Sequence, residues 1–326
     1  MRIGIVLALV LYGSGSFVAA APPAVRTGSI EYKPAADEKD IPERFRLESH
    51  RFDFEQKPVE TAATAMEMFE VTFPSPVVTP HPNNNTVHAE YFRPADAASG
   101  PHPGVIVLHI LGGDFDLSRV FCRTLAHNGV CALFIKLPYY GPRAQPGVSM
   151  RMVSVDPRET VAGMTQAVLD IRRGRAWLAA QSEVDPQRTG IFGISLGGIT
   201  SALAATAEPR FSKVCLMLAG GDIARVSWQA RELSGIRERW MAQGGTQQSF
   251  FEVLQPIDPV TYAGNLRGRP ILMLNARHDE VVPPECTEAL WKACGEPEIH
   301  WFDAGHYSIG RFMFDGLSTV TQFFQK

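Results

Sequence analysis

From residue 104 onward, the sequence alternates wholly apolar runs with segments of helical periodicity. Strands buried on both faces lack the in–out alternation of strands with one solvent-exposed face, so such runs are typical of a parallel sheet covered by helices. The runs are Val105–Ile110, Val130–Leu137, Thr189–Ile194, Lys213–Ala219, Pro270–Asn275 and Glu298–Phe302. The pattern predicts an α/β fold with a mostly parallel central sheet and helices on both faces.

Other segments extend this sheet and its helical layers. Glu67–Phe73 and Thr86–Phe92 alternate apolar and polar residues, which favours antiparallel strands at one edge of the sheet. Arg158–Ala180 repeats its apolar residues with helical periodicity directly after Pro157. It therefore predicts a long helix with a proline at its start.

The segment between the fourth and fifth apolar runs is too long for a simple crossover between parallel strands. Leu233, Ile236 and Trp240 are spaced for one helical face, so residues 222–262 are predicted to form a small helical cap insertion. On one interpretation the cap covers the functional site and is lined in part by Trp228 or Trp240. On the other, it is an extra helix packed on the flank of the sheet.

The N-terminal residues divide into two segments ahead of a single domain, 65–326. Residues 1–20 combine one positive charge, a short apolar stretch and small residues, which predicts an export signal cleaved after Ala20 and a secreted or periplasmic chain. The apolar stretch is shorter than the ~20 residues that span a bilayer, so stable membrane insertion is not expected. Residues 21–64 are polar and interrupted by prolines, and they predict an N-terminal arm.

Charge and cysteine content narrow the possible partners and ligands. A formal net charge of −3 gives no electrostatic basis for a nucleic-acid partner. The five cysteines are too few for a disulfide scaffold, and their spacings are not those of a metal site. Cys215 is predicted to lie in the core. Either Cys122 with Cys131 or Cys286 with Cys294 is a candidate disulfide pair.

One motif in this framework carries reactive chemistry. Gly193-Ile194-Ser195-Leu196-Gly197-Gly198 follows an apolar run and opens a helical run. A serine at a tight strand-to-helix turn holds its hydroxyl clear of the backbone, and flanking glycines avoid Cβ clashes in that turn. Ser195 is therefore the candidate nucleophile.

A serine hydroxyl needs a base within hydrogen-bond reach, and that base needs an acid to orient it. His306 comes directly after the last apolar run, and Asp279 comes just after the run before it. Open α/β sheets place their sites beyond the carboxyl ends of parallel strands, where these residues fall. The order Ser195, Asp279, His306 is that of an α/β-hydrolase triad, with Glu280 as the alternative acid.

Acyl transfer also needs donors for the oxyanion that forms on the substrate. The N–H of Leu196, directly after the nucleophile, is one candidate. The other is the N–H of Leu111, in the glycine-containing loop His109–Asp114 that follows the first apolar run. His109 is interpreted as a core residue that fixes this loop.

These segments together resemble the α/β-hydrolase superfamily over roughly residues 65–326. Within it, the chain resembles exported serine esterases of the dienelactone-hydrolase-like and acetylxylan-esterase-like branches. The segments that carry the resemblance are His109–Asp114, Gly193–Gly198, His278–Pro284 and Gly305-His306. Dienelactone hydrolases themselves use a cysteine nucleophile, so their substrate is not carried over to a chain with Ser195.

The expected function is hydrolysis of carboxylic esters through a Ser-His-Asp triad and an acyl-enzyme, without cofactor or metal. A small-molecule or polysaccharide ester is the expected substrate, a carbohydrate acetyl ester being one candidate. Tyr140 and Arg143, in the loop after the second apolar run, either line the substrate pocket or serve loop packing and a surface salt bridge. Two alternatives are an exported serine peptidase of the prolyl-oligopeptidase type and a catalytically silent α/β-hydrolase binding module.

Overall fold

The structure of the chain is a computed structural model. It describes residues 24–60, 65–97, 100–113, 115–147 and 152–326. The predicted export signal lies outside these residues.

Within the described residues, ten strands form one mixed sheet in the order β1-β2-β3-β4-β6-β5-β7-β8-β9-β10. Pairing is antiparallel from β1 to β4 and between β4 and β6, and parallel from β6 to β10. The strands are β1 Arg26–Tyr32, β2 His50–Val59, β3 Met66–Pro74, β4 Thr86–Pro94, β5 His102–Leu108, β6 Cys131–Ile135, β7 Val184–Ile194, β8 Lys213–Met217, β9 Ile271–Ala276 and β10 Glu298–Phe302. The predicted parallel interior with an antiparallel side is confirmed.

Helices cover both faces of this sheet, as predicted. They are α1 Phe115–His127, α2 Pro157–Ala179, α3 Leu196–Ala207, α4 Ile223–Gln229, α5 Ser234–Ala242, α6 Gln247–Leu254, α7 Pro259–Tyr262, α8 Pro284–Ala293 and α9 Met313–Gln325. Alternate residues of β5 face the two helical layers. Ile106 belongs to the apolar cluster that includes α2 and α3, and Val107 belongs to the apolar cluster that includes α1 and α9. Both clusters are therefore continuous with the central parallel strands.

The predicted N-terminal arm is wrong in one respect, because it contributes β1 and β2 to the sheet. Phe52 and Phe54 alternate with charged residues in β2 and are buried, Phe52 against Phe73 and Phe54 against Trp177. The charged residues dominate the composition of this segment and conceal its period of two. The two predicted edge strands correspond to β3 and β4, which lie inside the sheet because β1 and β2 extend it.

Both candidate disulfide pairs are wrong, since all five thiols are free and buried. Cys122 and Cys131 lie in the apolar clusters on opposite faces of the sheet. Cys286 and Cys294 are eight residues apart along α8 and its C-cap, about 12 Å at the helical rise, which a disulfide cannot bridge. Cys215 lies in the core at the centre of β8, as predicted.

The predicted cap segment is helical and comprises α4 to α7. Ile236 and Trp240 are buried on α5, as their spacing predicts. The buried Asp258 carboxylate accepts the Val260 N–H at 2.9 Å and the Ile223 N–H at 2.9 Å, so it joins the start of α7 to the start of α4. No helix within the described residues is long and apolar enough to cross a bilayer.

Candidate active site

Ser195 occupies a strained turn between β7 and α3, with φ 54° and ψ −117°. Its N–H donates to the Met217 carbonyl of the neighbouring strand at 2.8 Å. A Cβ on Gly197 would lie 2.6 Å from the Leu108 carbonyl oxygen, and one on Gly193 would lie 2.2 Å from the Gly197 carbonyl oxygen. The close approach of these backbone segments explains why the turn needs glycine on both sides of Ser195.

Two further side chains converge on Ser195 at the same edge of the sheet. Asp279 follows β9 and His306 follows β10, so both lie beyond the carboxyl ends of parallel strands. The Nε2 of His306 lies 3.0 Å from the Ser195 Oγ, and its Nδ1 lies 2.8 Å and 2.9 Å from the two carboxylate oxygens of Asp279. Less than a tenth of each residue is exposed, so the hydrogen-bonded chain is shielded from bulk water.

The two adjacent carboxylates at this edge make different contacts. Asp279 Oδ1 accepts the N–H groups of Val281 and Val282 at 2.9 Å and 2.7 Å, which hold the carboxylate against the imidazole ring. Glu280 Oε2 accepts the backbone N–H of His306 at 2.8 Å. Asp279 therefore orients the ring, whereas Glu280 supports the loop that carries it.

The two predicted oxyanion donors lie beside the serine. Leu196 is the first residue of α3, so its N–H has no carbonyl of the same helix to bond. Leu111 lies in a turn closed by the Gly113 N–H, which donates to the Ile110 carbonyl at 3.1 Å. Leu111, Leu196 and Ser195 all line one cavity. Asp114, at the end of the predicted loop, lies outside the described residues.

His109 fixes the loop that carries Leu111. The Leu137 N–H donates to His109 Nε2 at 3.1 Å, so Nδ1 carries the proton and donates to the Ile110 carbonyl at 2.7 Å. The ring is buried and packs on Tyr140 at a centroid distance of 4.6 Å. Burial lowers the pKa of His109 to about 4, which keeps the imidazole neutral at pH 7.

An aliphatic cavity of about 70 Å³ adjoins Ser195. The cap forms one side of it, with side chains from α4, α6 and the turns beside them. These cap residues are Ile223, Val226, Ser227, Leu233, Leu254 and Ile257. The remaining walls come from α2, α3 and the loops before α2 and after β9, through Val153, Thr160, Met164, Ile199, Val281 and Val282. The helical insertion therefore contributes part of the wall beside Ser195.

Three predicted substrate contacts do not reach this cavity. Arg143 is fully buried, where it pairs with Asp170 at 2.8 Å and donates to the Lys136 carbonyl. Of the two roles considered for Arg143, loop packing with a salt bridge fits better than a pocket contact, although this salt bridge is internal rather than on the surface. Tyr140 packs on the His109 ring. Trp228 packs against Phe250 within the cap in a tilted arrangement, at a centroid distance of 5.3 Å.

The expected aromatic lining is therefore wrong. Trp240 also packs inside the cap, where its Nε1 donates to the Thr246 carbonyl at 3.0 Å. None of the described residues that line the cavity is aromatic. Sequence reasoning missed the aliphatic wall, although two pairs three residues apart, Ile223 with Val226 and Leu254 with Ile257, carried a signal for it.

Two protein families match this chain. Residues 38–226 match the family described as "Alpha/beta hydrolase domain containing 18". Residues 164–326 match the prolyl oligopeptidase family. The two matches overlap and together run from β2 through the last helix, so they include Ser195, Asp279 and His306.

Solved structures share the fold over most of the chain. Acetyl xylan esterase 1 from Thermoanaerobacterium sp. superposes with a TM-score of 0.65 and 22% identity, over 83% of this chain and 87% of that one. Acetyl xylan esterase from Paenibacillus sp. R4 gives a TM-score of 0.65 and 20% identity, over 82% and 88%. A putative dienelactone hydrolase from Klebsiella pneumoniae superposes with a TM-score of 0.54 and 21% identity, over 80% of this chain and 98% of that one.

Among curated sequences, an uncharacterized protein of Mycobacterium tuberculosis is 28% identical over 254 residues. The alignment covers 70% of this chain and 57% of that relative, so the chain spans less than two thirds of the relative's length. The family matches, the mixed sheet and the strand-to-helix turn at Ser195 lead to one assignment. The chain belongs to the α/β-hydrolase superfamily.

Proposed function

We propose that this α/β-hydrolase is a serine esterase that cleaves carboxylic esters with Ser195, His306 and Asp279 as its triad. The observation that carries the proposal is the chain of hydrogen bonds from Asp279 through His306 to the Ser195 Oγ. Acetyl xylan esterases of the same fold support an ester as the substrate.

The geometry supports a two-step mechanism. The Ser195 Oγ attacks the ester carbonyl carbon while His306 Nε2 takes the hydroxyl proton. Asp279 stabilises the imidazolium that forms. The Leu111 and Leu196 N–H groups stabilise the oxyanion of the tetrahedral intermediate. His306 then protonates the departing alkoxide, which leaves an acyl-Ser195. Water, deprotonated by His306, hydrolyses this acyl-enzyme to the acid and restores Ser195. The residues supply every proton transfer, and the proposed mechanism uses no metal or cofactor.

Peptide hydrolysis is the second candidate, because residues 164–326 match the prolyl oligopeptidase family. The same triad serves both reactions, so the leaving group separates them. We expect turnover of a p-nitrophenyl ester but no measurable turnover of a prolyl or alanyl p-nitroanilide of matched size, because a peptidase cleaves both. Turnover of the anilide that is lost in Ser195→Ala would reassign the enzyme as a peptidase.

Replacement of the nucleophile tests the proposal against a silent binding module. Ser195→Ala is expected to lower kcat for a p-nitrophenyl ester by several orders of magnitude, on the order of 10⁶-fold in the comparable case of a serine protease. Ser201→Ala is the matched control, because Ser201 lies on α3 and its buried Oγ has no hydrogen-bond partner among the described residues. Retention of more than a tenth of the activity by Ser195→Ala would exclude the proposed mechanism.

A further inference from the structure

We infer that the aliphatic cavity beside Ser195 is an acyl pocket that selects esters of unbranched aliphatic acids of about six carbons. The inference rests on the proposed serine-esterase function and adds its substrate class. Three observations carry it: the composition of the walls, the position of the cavity relative to His306 and its volume.

The walls can make apolar contacts with an aliphatic chain, but they provide few hydrogen-bond partners for a sugar. Apart from Ser195, the polar side chains among the lining residues are Thr160 and Ser227. The Thr160 hydroxyl already accepts the Ser154 N–H at 3.0 Å. A sugar ring would bury several hydroxyl groups against Met164, Ile199 and the other aliphatic walls and leave them without hydrogen bonds, which is costly.

The position of the cavity assigns it to the acyl side of the ester. The leaving oxygen must face His306 Nε2 in order to be protonated. Among the described residues, Ser195, Leu111 and Leu196 line the cavity and His306 does not. The cavity therefore lies beside the carbonyl carbon and its oxyanion donors, on the side where the acyl chain leaves the reacting centre.

The volume sets the chain length. A cavity needs roughly 10–15 Å³ to hold one water molecule, which is similar in size to a methylene group. The cavity of about 70 Å³ therefore has room for roughly five such groups beyond the carbonyl carbon. An acyl chain of about six carbons therefore suits this space better than an acetyl group or a dodecanoyl group.

A series of p-nitrophenyl esters with a constant leaving group tests the assignment. The specificity constant kcat/KM is expected to rise by up to about fourfold per added methylene from acetate to hexanoate. It is expected to fall again by dodecanoate. A profile that is highest at acetate, or that is flat across the series, would overturn the acyl-pocket assignment. Higher activity on acetylated xylan than on hexanoate esters would overturn it as well.

Variants at Val226 test whether this cavity determines the preferred length of the acyl chain. Val226 lines it from α4, so Val226→Phe is expected to lower the hexanoate-to-acetate ratio of kcat/KM at least tenfold. Val226→Ala is expected to raise the octanoate-to-hexanoate ratio, because it lengthens the same cavity with less risk to folding. Val253→Phe is the matched control, since Val253 lies on α6 and lines a separate surface groove with Arg158 and Trp240.

The outcomes separate this inference from the function on which it rests. No turnover of any ester, with no labelling of Ser195 by a fluorophosphonate, would overturn the esterase proposal itself. Ester turnover with equal shifts of the hexanoate-to-acetate ratio in Val226→Phe and Val253→Phe would overturn only the acyl pocket. A lower hexanoate-to-acetate ratio in Val226→Phe and a higher octanoate-to-hexanoate ratio in Val226→Ala, with neither ratio changed in Val253→Phe, would support it.

Discussion

At the scale of single residues, two neighbouring carboxylates illustrate how the site divides its tasks. Asp279 bonds the ring nitrogen of His306 and is held by two backbone N–H groups of its own loop. Glu280 bonds only the backbone N–H of His306 among the hydrogen bonds of the described residues. Orientation of the imidazole and support of its loop are thus assigned to different side chains.

Amide variants of these carboxylates test that division. Asp279→Asn is expected to lower kcat by about 10⁴-fold, because the neutral amide favours the wrong tautomer of His306. Glu280→Gln keeps an oxygen that can accept the His306 N–H and is expected to change kcat by less than tenfold. Steady-state kinetics on one p-nitrophenyl ester provides the comparison. A small loss for Asp279→Asn with a large loss for Glu280→Gln would transfer the role of the acid to Glu280.

Sequence position was sufficient to predict that the three proposed triad residues lie together, but not the neighbouring contacts. Ser195, Asp279 and His306 are recognisable because each follows an apolar strand, and parallel strand ends converge at one edge. Arg143 follows a strand too, yet its partner Asp170 lies 27 residues away on α2. Whether a charged loop residue turns inward depends on such a distant partner, which local sequence does not reveal.

At the scale of elements, His109 joins the loops that follow β5 and β6. It accepts the Leu137 N–H from one loop and donates to the Ile110 carbonyl in the other. The loop that carries the proposed Leu111 donor is thus held by a neutral imidazole. Its pKa, lowered from 6.5 to about 4 by burial, makes this connection sensitive to acid.

The free energy of unfolding should report this pKa. Between pH 6.5 and about 4 the unfolded chain binds a proton at His109 that the folded chain does not, so His109 lowers stability as pH falls through this window. The contribution of His109 to this change in the free energy of unfolding is about 3 kcal/mol at most. His109→Gln lacks this titration, so its stability deficit relative to the native chain should shrink from pH 7 to pH 4 in urea unfolding. A deficit that is constant with pH would contradict the account.

Element types were more predictable than their place in the sheet. Continuous apolar runs predicted β5 to β10, because strands covered on both faces need apolar residues throughout. β1 and β2 were missed because their buried apolar residues alternate with polar and charged ones in a proline-containing segment. In the cap, helical spacing predicted buried faces, but it did not predict that aliphatic side chains rather than tryptophans would face Ser195.

At the scale of the whole molecule, one sheet edge collects the proposed reactive groups and the cap lies beside them. β5, β7, β9 and β10 end beside Leu111, Ser195, Asp279 and His306, respectively. The cap, α4 to α7, adds part of the aliphatic wall. Export of the chain remains a prediction from residues 1–20. The five free thiols show that the described fold does not depend on disulfides.

The central claim is that Ser195 is an activated nucleophile in the folded chain, and covalent labelling tests it most directly. A fluorophosphonate is incubated with the folded protein, and the adduct is located by peptide mass spectrometry. The account predicts one adduct per chain on Ser195, absent from Ser195→Ala, absent after denaturation and retained in Ser201→Ala. An unlabelled Ser195 in folded protein, or an adduct on another residue with Ser195 unmodified, would contradict it.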